Sequence, residues 1–387
     1  MHTVLDTIGS TPLFRLQRLA RPGEGQVLVK WERSNPGGSI KDRPAHFIVT
    51  EAERRGLLKP GGTIIESSSG NFGISLAMIG AAKGYRVIIL VDPKTTPTNL
   101  AVLKTFGAEV VVVTELDDCG SYHKTRIALA NKLAREIPGA FRPDQCFNLM
   151  NSEAHYQNTA RELLAESGHQ IDVVIAPVST GGQLGGLSRY LKRYAPHVQV
   201  VGVDAIGSIV FGGKPHSYLT PGVGLGWTPE NLDLSLIDAA FKVPDEDAFL
   251  ACRLLARCEG VMPGASSGAT LMVALHYAQL CSPDTRIVCM FADGGERYLQ
   301  TIYADEWMQE RNLATSITVD ELRARALRLP LFSERPVGSY RPDLAATLDV
   351  PETTHRLNAE LRARQNLRLV ERPAVRPGQP MLAQMAS

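Results

Sequence analysis

The chain lacks the features that would mark a nucleic-acid binder, a membrane protein or a disulfide scaffold. Its 41 basic and 40 acidic residues leave a net charge of +1, where a nucleic-acid surface would carry a clear basic excess. The longest apolar runs, such as residues 87–91 and 173–178, are strand-length, far short of the roughly 18 residues of a membrane span. The six cysteines (Cys119, Cys146, Cys252, Cys258, Cys281 and Cys289) include no C-x-x-C pair. They read as reduced thiols, with neither a disulfide framework nor a metal site. The first six residues have no basic stretch and no apolar stretch, which predicts a cytoplasmic protein. Aromatics are scarce at 6%, but an apolar content of 44% supplies a sizeable core and excludes wholesale disorder.

At 387 residues, the length suggests two domains and a remainder. Strand-like runs at 27–32, 63–66, 86–91, 109–114, 172–178, 199–204 and 286–291 alternate with helical patterns at 45–55, 72–83, 99–106, 122–137, 153–166, 245–259 and 267–280. The near-continuous Val/Ile runs predict strands buried on both faces, hence α/β units with parallel sheets. Ligands of such sheets sit beyond the carboxyl ends of the strands. Residues 311–387 differ in character: 12 Arg, no Lys, 8 acidic residues and seven of the 24 prolines. Short helical patterns at 319–327 and 353–367 lie there. This segment reads as an appendage outside the sheet, with its last fifteen residues disordered. No internal repeat is present.

Four turns carry candidate chemistry. Glu66-Ser67-Ser68-Ser69-Gly70-Asn71-Phe72-Gly73 joins a strand to a helix, where backbone N–H groups and hydroxyls converge on an anion; an ordinary helix cap reads the same way. Ser179-Thr180-Gly181-Gly182-Gln183 can curl into a phosphate nest. It is neither a Walker loop nor a G-x-G-x-x-G site, which favours a phosphate-bearing cofactor other than a nucleotide. Gly260 to Gly268 leads into the 267–280 helix and is weak alone. Asn35-Pro36-Gly37-Gly38-Ser39-Ile40-Lys41-Asp42-Arg43 places Lys41 at a helix opening, where the dipole should depress its pKa and suit it to a Schiff base.

With Ile8 to Leu13, these motifs in this order resemble the cysteine synthase/cystathionine β-synthase group of fold-type II pyridoxal-phosphate enzymes, over roughly residues 1–305. The resemblance implies a tryptophan synthase β-like α/β fold: two open α/β domains with pyridoxal 5'-phosphate between them, in a homodimer. A large domain would comprise 1–44 and 151–310, a smaller mobile one 45–150, and an extension 311–387. It also implies that Lys41 holds the cofactor and takes the substrate Cα proton. Asn71 would meet the cofactor's 3'-oxygen, Ser179, Thr180, Gly181, Gly182 and Gln183 its phosphate, and Ser266 (or Ser267, one residue on) its pyridine nitrogen. Ser68, Ser69, Asn71 and Gln145 would grip the substrate carboxylate. A serine beside the pyridine makes a weaker electron sink than an aspartate and favours loss of a β-leaving group.

The chain departs from plain cysteine synthases at Phe72, Ser179, Gln183 and Arg126. Sulfide needs no recognition, whereas an inward Arg126 can clamp the carboxylates of a second amino acid; an exposed helix arginine is the plain alternative. The phrase from Val91 to Leu100 and the Phe72 variant look closer to N-(2-amino-2-carboxyethyl)-L-glutamate synthases. That resemblance implies O-phospho-L-serine and L-glutamate as substrates, joined through an α-aminoacrylate with loss of phosphate to give a 2,3-diaminopropionate precursor for siderophores or peptide antibiotics. A sulfide-using cysteine synthase is the nearest competitor. A cystathionine β-synthase type and a cofactor-binding scaffold without activity are the others.

Overall fold

The computed structural model describes residues 2–117, 120–334 and 350–370, with side chains in the last segment described as far as Gln365. It divides into two compact units, each built on its own sheet.

The first unit comprises residues 2–9, 35–154 and 350–370. Its four-stranded sheet has the order β5-β4-β3-β6, with β3 at Thr63–Ser67, β4 at Arg86–Val91, β5 at Glu109–Val112 and β6 at Ala140–Phe141. All its pairings are parallel. β3 is buried throughout, as its Thr-Ile-Ile run demands of a strand covered on both faces. The helices are α1 (Asp42–Arg54), α2 (Asn71–Lys83), α3 (Pro97–Thr105), α4 (His123–Glu136) and α5 (Met150–Ala154). Thr96 caps α3, its hydroxyl accepting from the Asn99 N–H at 3.3 Å, with Pro97 at the first helical position.

The second unit comprises residues 10–34 and 155–334. Its seven-stranded sheet runs β1-β2-β10-β7-β8-β9-β11. The strands are β1 (Leu13–Arg15), β2 (Gln26–Trp31), β7 (Val173–Pro177), β8 (Gln199–Ala205), β9 (Ala239–Val243), β10 (Arg286–Phe291) and β11 (Leu331–Glu334). The five inner strands pair in parallel, and β1 and β11 close the edges antiparallel. The helices are α6 (Ala160–Glu166), α7 (Gly182–Tyr194), α8 (Asp245–Leu254), α9 (Ala265–Leu280), α10 (Asp305–Gln309) and α11 (Val319–Leu327). α9 is buried along nearly its whole length.

The expected helix at 153–166 proves to be α5, a widened π turn at His155–Thr159, and α6. Residues 311–387 were expected to lie outside the sheet, and here the structure corrects the sequence reading. β11 adds to the edge of β9, and α11 buries Leu322 and Ala326 in the core of the second unit. A last helix, α12 (Glu352–Val370), buries Leu357 and Leu361 in the core of the first. Four well-spaced apolar side chains on these two helices bury enough surface to dock them, although the surrounding Arg and Pro residues mask the pattern. The expected disorder of the last fifteen residues lies outside the described residues.

Candidate active site

In the first unit the candidate residues gather beyond the carboxyl ends of β3 and β4 and at the start of α1. Lys41 is the residue from which α1 departs, and its N–H donates to Ser39 Oγ at 3.2 Å. Next to it, the fully buried Asp42 accepts from the Gly37 N–H at 2.6 Å and from Ser75 Oγ at 2.5 Å. A Cβ on Gly37 would collide with that carboxylate, so the Pro-Gly-Gly turn is the form that lets Asp42 lock the base of Lys41 to α2.

After β3, Ser68 Oγ accepts from the Gly73 N–H at 3.0 Å, and Asn71 opens α2. Ser69 is held from three sides. Its hydroxyl donates to Asp92 Oδ2 at 3.0 Å and accepts from Arg126 Nη1, and its carbonyl accepts from Asn99 Nδ2 at 3.0 Å. Arg126 on α4 also pairs with Asp92 at 3.0 Å; both side chains are nearly buried. Its Nε is buried with no partner among the described residues. Burial lowers the Arg126 pKa from its ordinary value, and Asp92 opposes the shift. Arg126 therefore points inward onto the serine loop, and the alternative of an exposed helix arginine is excluded.

Behind this loop lies a buried charged cluster that the sequence reading missed. Arg142 donates to Asn131 Oδ1 at 2.7 Å and Asp144 Oδ1 at 3.1 Å, with Glu66 Oε1 3.8 Å from its Nε. Desolvation pushes Glu66 up to about 7, against the pull of Arg142. His123 is pushed down to about 4 by burial and by the Arg126 and Arg142 charges. Gln145 follows Asp144, which adopts a positive φ of 55°, and the Gln145 carbonyl accepts from Asn151 Nδ2 at 2.8 Å. Cys146 is pushed up to about 12, chiefly by desolvation, and the Lys41 charge opposes the shift. Lys41 and the Gln145–Cys146 turn thus share one neighbourhood. Asp92 and Asn99 stood in the quoted Val91 to Leu100 phrase, so they were visible but had no role assigned.

In the second unit the loop after β7 forms a cradle at the N-terminus of α7. Gly181 has φ +80°, and a Cβ there would lie 2.8 Å from Pro229 Cγ, so only glycine fits. The first N–H groups of α7 have no partner inside the helix. Gln183 Nε2 is buried with no partner among the described residues. Ser179 Oγ donates to the Gly224 carbonyl at 3.3 Å. A phosphate fits these donors at a positive helix end. On α9, Ser267 Oγ accepts from the Ala292 N–H at 3.2 Å and its side chain is fully buried. Ser266 lies one residue earlier, 4% exposed, with its hydroxyl 3.9 Å from where a Cβ of Gly222 would stand. Both serines thus stand at the start of α9, and either hydroxyl still has a proton to donate. Among the described residues no group of His, Cys, Asp and Glu is placed to hold a metal ion.

Residues 4–293 match the family model described as pyridoxal-phosphate dependent enzyme. The chain belongs to that family. It is 41% identical over 310 residues to the N-(2-amino-2-carboxyethyl)-L-glutamate synthase of Cupriavidus metallidurans, spanning 79% of this chain and 91% of the relative. It is 41% identical over 306 residues to the same synthase of Ralstonia nicotianae, spanning 79% and 90%. Among solved structures, O-ureido-L-serine synthase superposes with a TM-score of 0.74 at 35% identity, covering 80% of this chain and 99% of the other. A hydrogen sulfide-producing enzyme from Fusobacterium nucleatum superposes at 0.72 and 33% identity, covering 77% and 100%. The protein is thus a fold-type II pyridoxal-phosphate enzyme, and its cofactor is pyridoxal 5'-phosphate.

Proposed function

We propose that this enzyme joins O-phospho-L-serine to L-glutamate, giving N-(2-amino-2-carboxyethyl)-L-glutamate and phosphate. The bond from the serine β-carbon to the phosphate oxygen breaks, and phosphate leaves with the electron pair. A bond from that β-carbon to the glutamate nitrogen forms, and the amine gives up a proton. The serine Cα proton is removed and later returned. Two named relatives at 41% identity carry this product in their names. The observation that carries the reading is the inward Arg126 with its spare Nε donor beside the serine loop. A sulfide nucleophile has no use for such a cation, and a second amino acid needs one for its carboxylates.

Bound pyridoxal phosphate supplies the electron sink that makes the Cα proton acidic and the β-substituent a leaving group. In this reading Lys41 holds the cofactor and, once released, takes the Cα proton at its Nζ. The Ser179–Gln183 cradle would hold the cofactor phosphate, Ser266 the ring nitrogen and Asn71 the ring oxygen. Ser68, Ser69, Asn71 and Gln145 orient the serine carboxylate. Arg126 orients glutamate, and Asp92 keeps the guanidinium in place before substrate arrives. The reading carries with it a cytoplasmic homodimer whose product feeds 2,3-diaminopropionate synthesis for a siderophore or peptide antibiotic.

Mass spectrometry of the products decides it. Purified holoenzyme with O-phosphoserine and glutamate should give the condensed amino acid and equimolar phosphate. Cysteine from a parallel reaction with sulfide, and no condensed product with glutamate, would make it a cysteine synthase instead.

A further inference from the structure

The C-terminal extension takes no part in the reaction above, yet one of its side chains is built into the substrate turn. About a fifth of the chain has no counterpart in O-ureido-L-serine synthase, which is itself covered to 99%. The family match stops at residue 293, so this surplus falls largely after that point. Within it, α12 sets Leu357 and Leu361 into the core of the first unit. Arg55 pairs with Glu360, and Gln365 Nε2 donates to Glu153 Oε2 at 3.3 Å.

Asn358 is 6% exposed and uses both ends of its amide on one piece of backbone. Its Oδ1 accepts from the Leu149 N–H at 2.8 Å, and its Nδ2 donates to the Phe147 carbonyl at 2.7 Å. That backbone belongs to the 142–151 segment, which carries Gln145. Arg142 anchors the start of the segment to Asn131, and the remainder carries several internal bonds. Asn148 Nδ2 donates to the Pro143 carbonyl at 2.9 Å, the Met150 N–H donates to Asn148 Oδ1 at 3.0 Å, and Asn151 Nδ2 donates to the Gln145 carbonyl at 2.8 Å. A turn with so many internal bonds moves as one body, so a clamp on Phe147 and Leu149 also fixes Gln145.

We infer that Asn358 is a positioning residue through which the extension holds Gln145 in the form that meets the first substrate's carboxylate. Without the amide, the Leu149 N–H and the Phe147 carbonyl each lose a buried hydrogen bond from the extension, and the segment loses its tie to α12. Recognition of O-phosphoserine then depends on α12 being docked, and by linkage the bound substrate must in turn favour docking. The inference rests on the assignment of Gln145 to the carboxylate.

Asn358→Leu keeps the volume and removes both hydrogen bonds, while Asn358→Asp keeps the acceptor for Leu149 and loses the donor. In steady-state assays of holoenzyme well below each melting temperature, Asn358→Leu should raise KM for O-phosphoserine about tenfold with a smaller change in kcat. Asn358→Asp should fall between it and the parent, and Gln145→Ala should raise KM as well. An unchanged KM in folded Asn358→Leu, with a raised one in Gln145→Ala, overturns the positioning role and leaves the proposed function standing. An unchanged KM in both removes the Gln145 assignment and this inference with it. Should Asn358→Leu fail to fold, hydrogen exchange on the parent holoenzyme gives the answer. O-phosphoserine should slow amide exchange across residues 352–365, and no slowing would overturn the inference.

Discussion

At the scale of single residues, the site separates two kinds of charge. Arg126 is paired yet keeps a spare donor, which is the state of a group waiting for an anion. Arg126→Ala should raise KM for glutamate about tenfold to a hundredfold, the range for losing a charge-assisted hydrogen bond. The phosphate-releasing half of the reaction should change less. Rapid-mixing absorbance measurements, with and without glutamate, separate the two steps, and equal losses would deny Arg126 a selective role. Glu66 is charge of the other kind, buried and only distantly paired. Its carboxyl, raised to about 7 from an ordinary 4.5, binds a proton in the folded state that the unfolded chain releases. Its contribution to stability is therefore complete below pH 4.5 and is lost as pH rises through 7, a change of about 3 kcal/mol. Glu66→Gln should remove that loss. Melting curves at about pH 5 and about pH 8 should show the variant gaining several degrees on its parent at the higher pH. His123, lowered to about 4, shifts stability the opposite way, being lost as pH falls from 6.5 towards 4, and it cancels in the comparison. Lys41 and the two serine loops stood out as candidates because each breaks a local habit, a lysine opening a helix or glycines in a row, whereas Arg126 stood out only as a departure from plain cysteine synthases and its inward direction needed the fold. Glu66, Arg142 and Asp144 were not, because charged residues in a sequence read as solvated until a fold buries them together.

At the scale of elements, the strands with continuous Val/Ile runs stood within two residues of their observed bounds, since burial on both faces leaves little choice of composition. β9 escaped because Ala239-Ala240 carry weak strand preference and Lys242 interrupts the apolar run. α7 escaped for a different reason. Gly181, Gly182, Gly185 and Gly186 argue against a helix on propensity, but packing requires Gly181 and Gly185. A Cβ on Gly185 would run into the Asn231 carbonyl oxygen, so the helix approaches the 231–232 backbone more closely than any side chain allows. Gly185→Ala should improve helix propensity and still weaken the protein. The expected result is a lower melting temperature and a raised cofactor dissociation constant, read by titrating the apoenzyme with pyridoxal phosphate, because the α7 N-terminus must shift. Unchanged affinity would mean that the cradle tolerates displacement.

At the scale of the whole molecule, the extension is divided between the two units rather than added to one. Residues 319–334 supply α11 and the edge strand β11 to the seven-stranded unit, and residues 352–370 supply α12 to the four-stranded one. Composition hid this, since twelve arginines and seven prolines among 77 residues suggest a solvated tail, while the docking rests on a few apolar side chains. Leu322, Leu329, Leu357 and Leu361 are each at least nine-tenths buried, and burying one leucine contributes about 1.5–3 kcal/mol. A native domain has only about 5–15 kcal/mol in hand. Ending the chain after Glu310 should therefore cost each unit its own share and expose β9 as an unpaired edge prone to association. The expected outcome is a melting temperature lower by more than about 10 °C or an aggregated product, read by calorimetry and light scattering. A solvated tail would leave both readings unchanged. Ending the chain after Glu334 instead should spare the seven-stranded unit and uncover only the core around Leu357 and Leu361, so the shorter truncation should fall between the parent and the longer one.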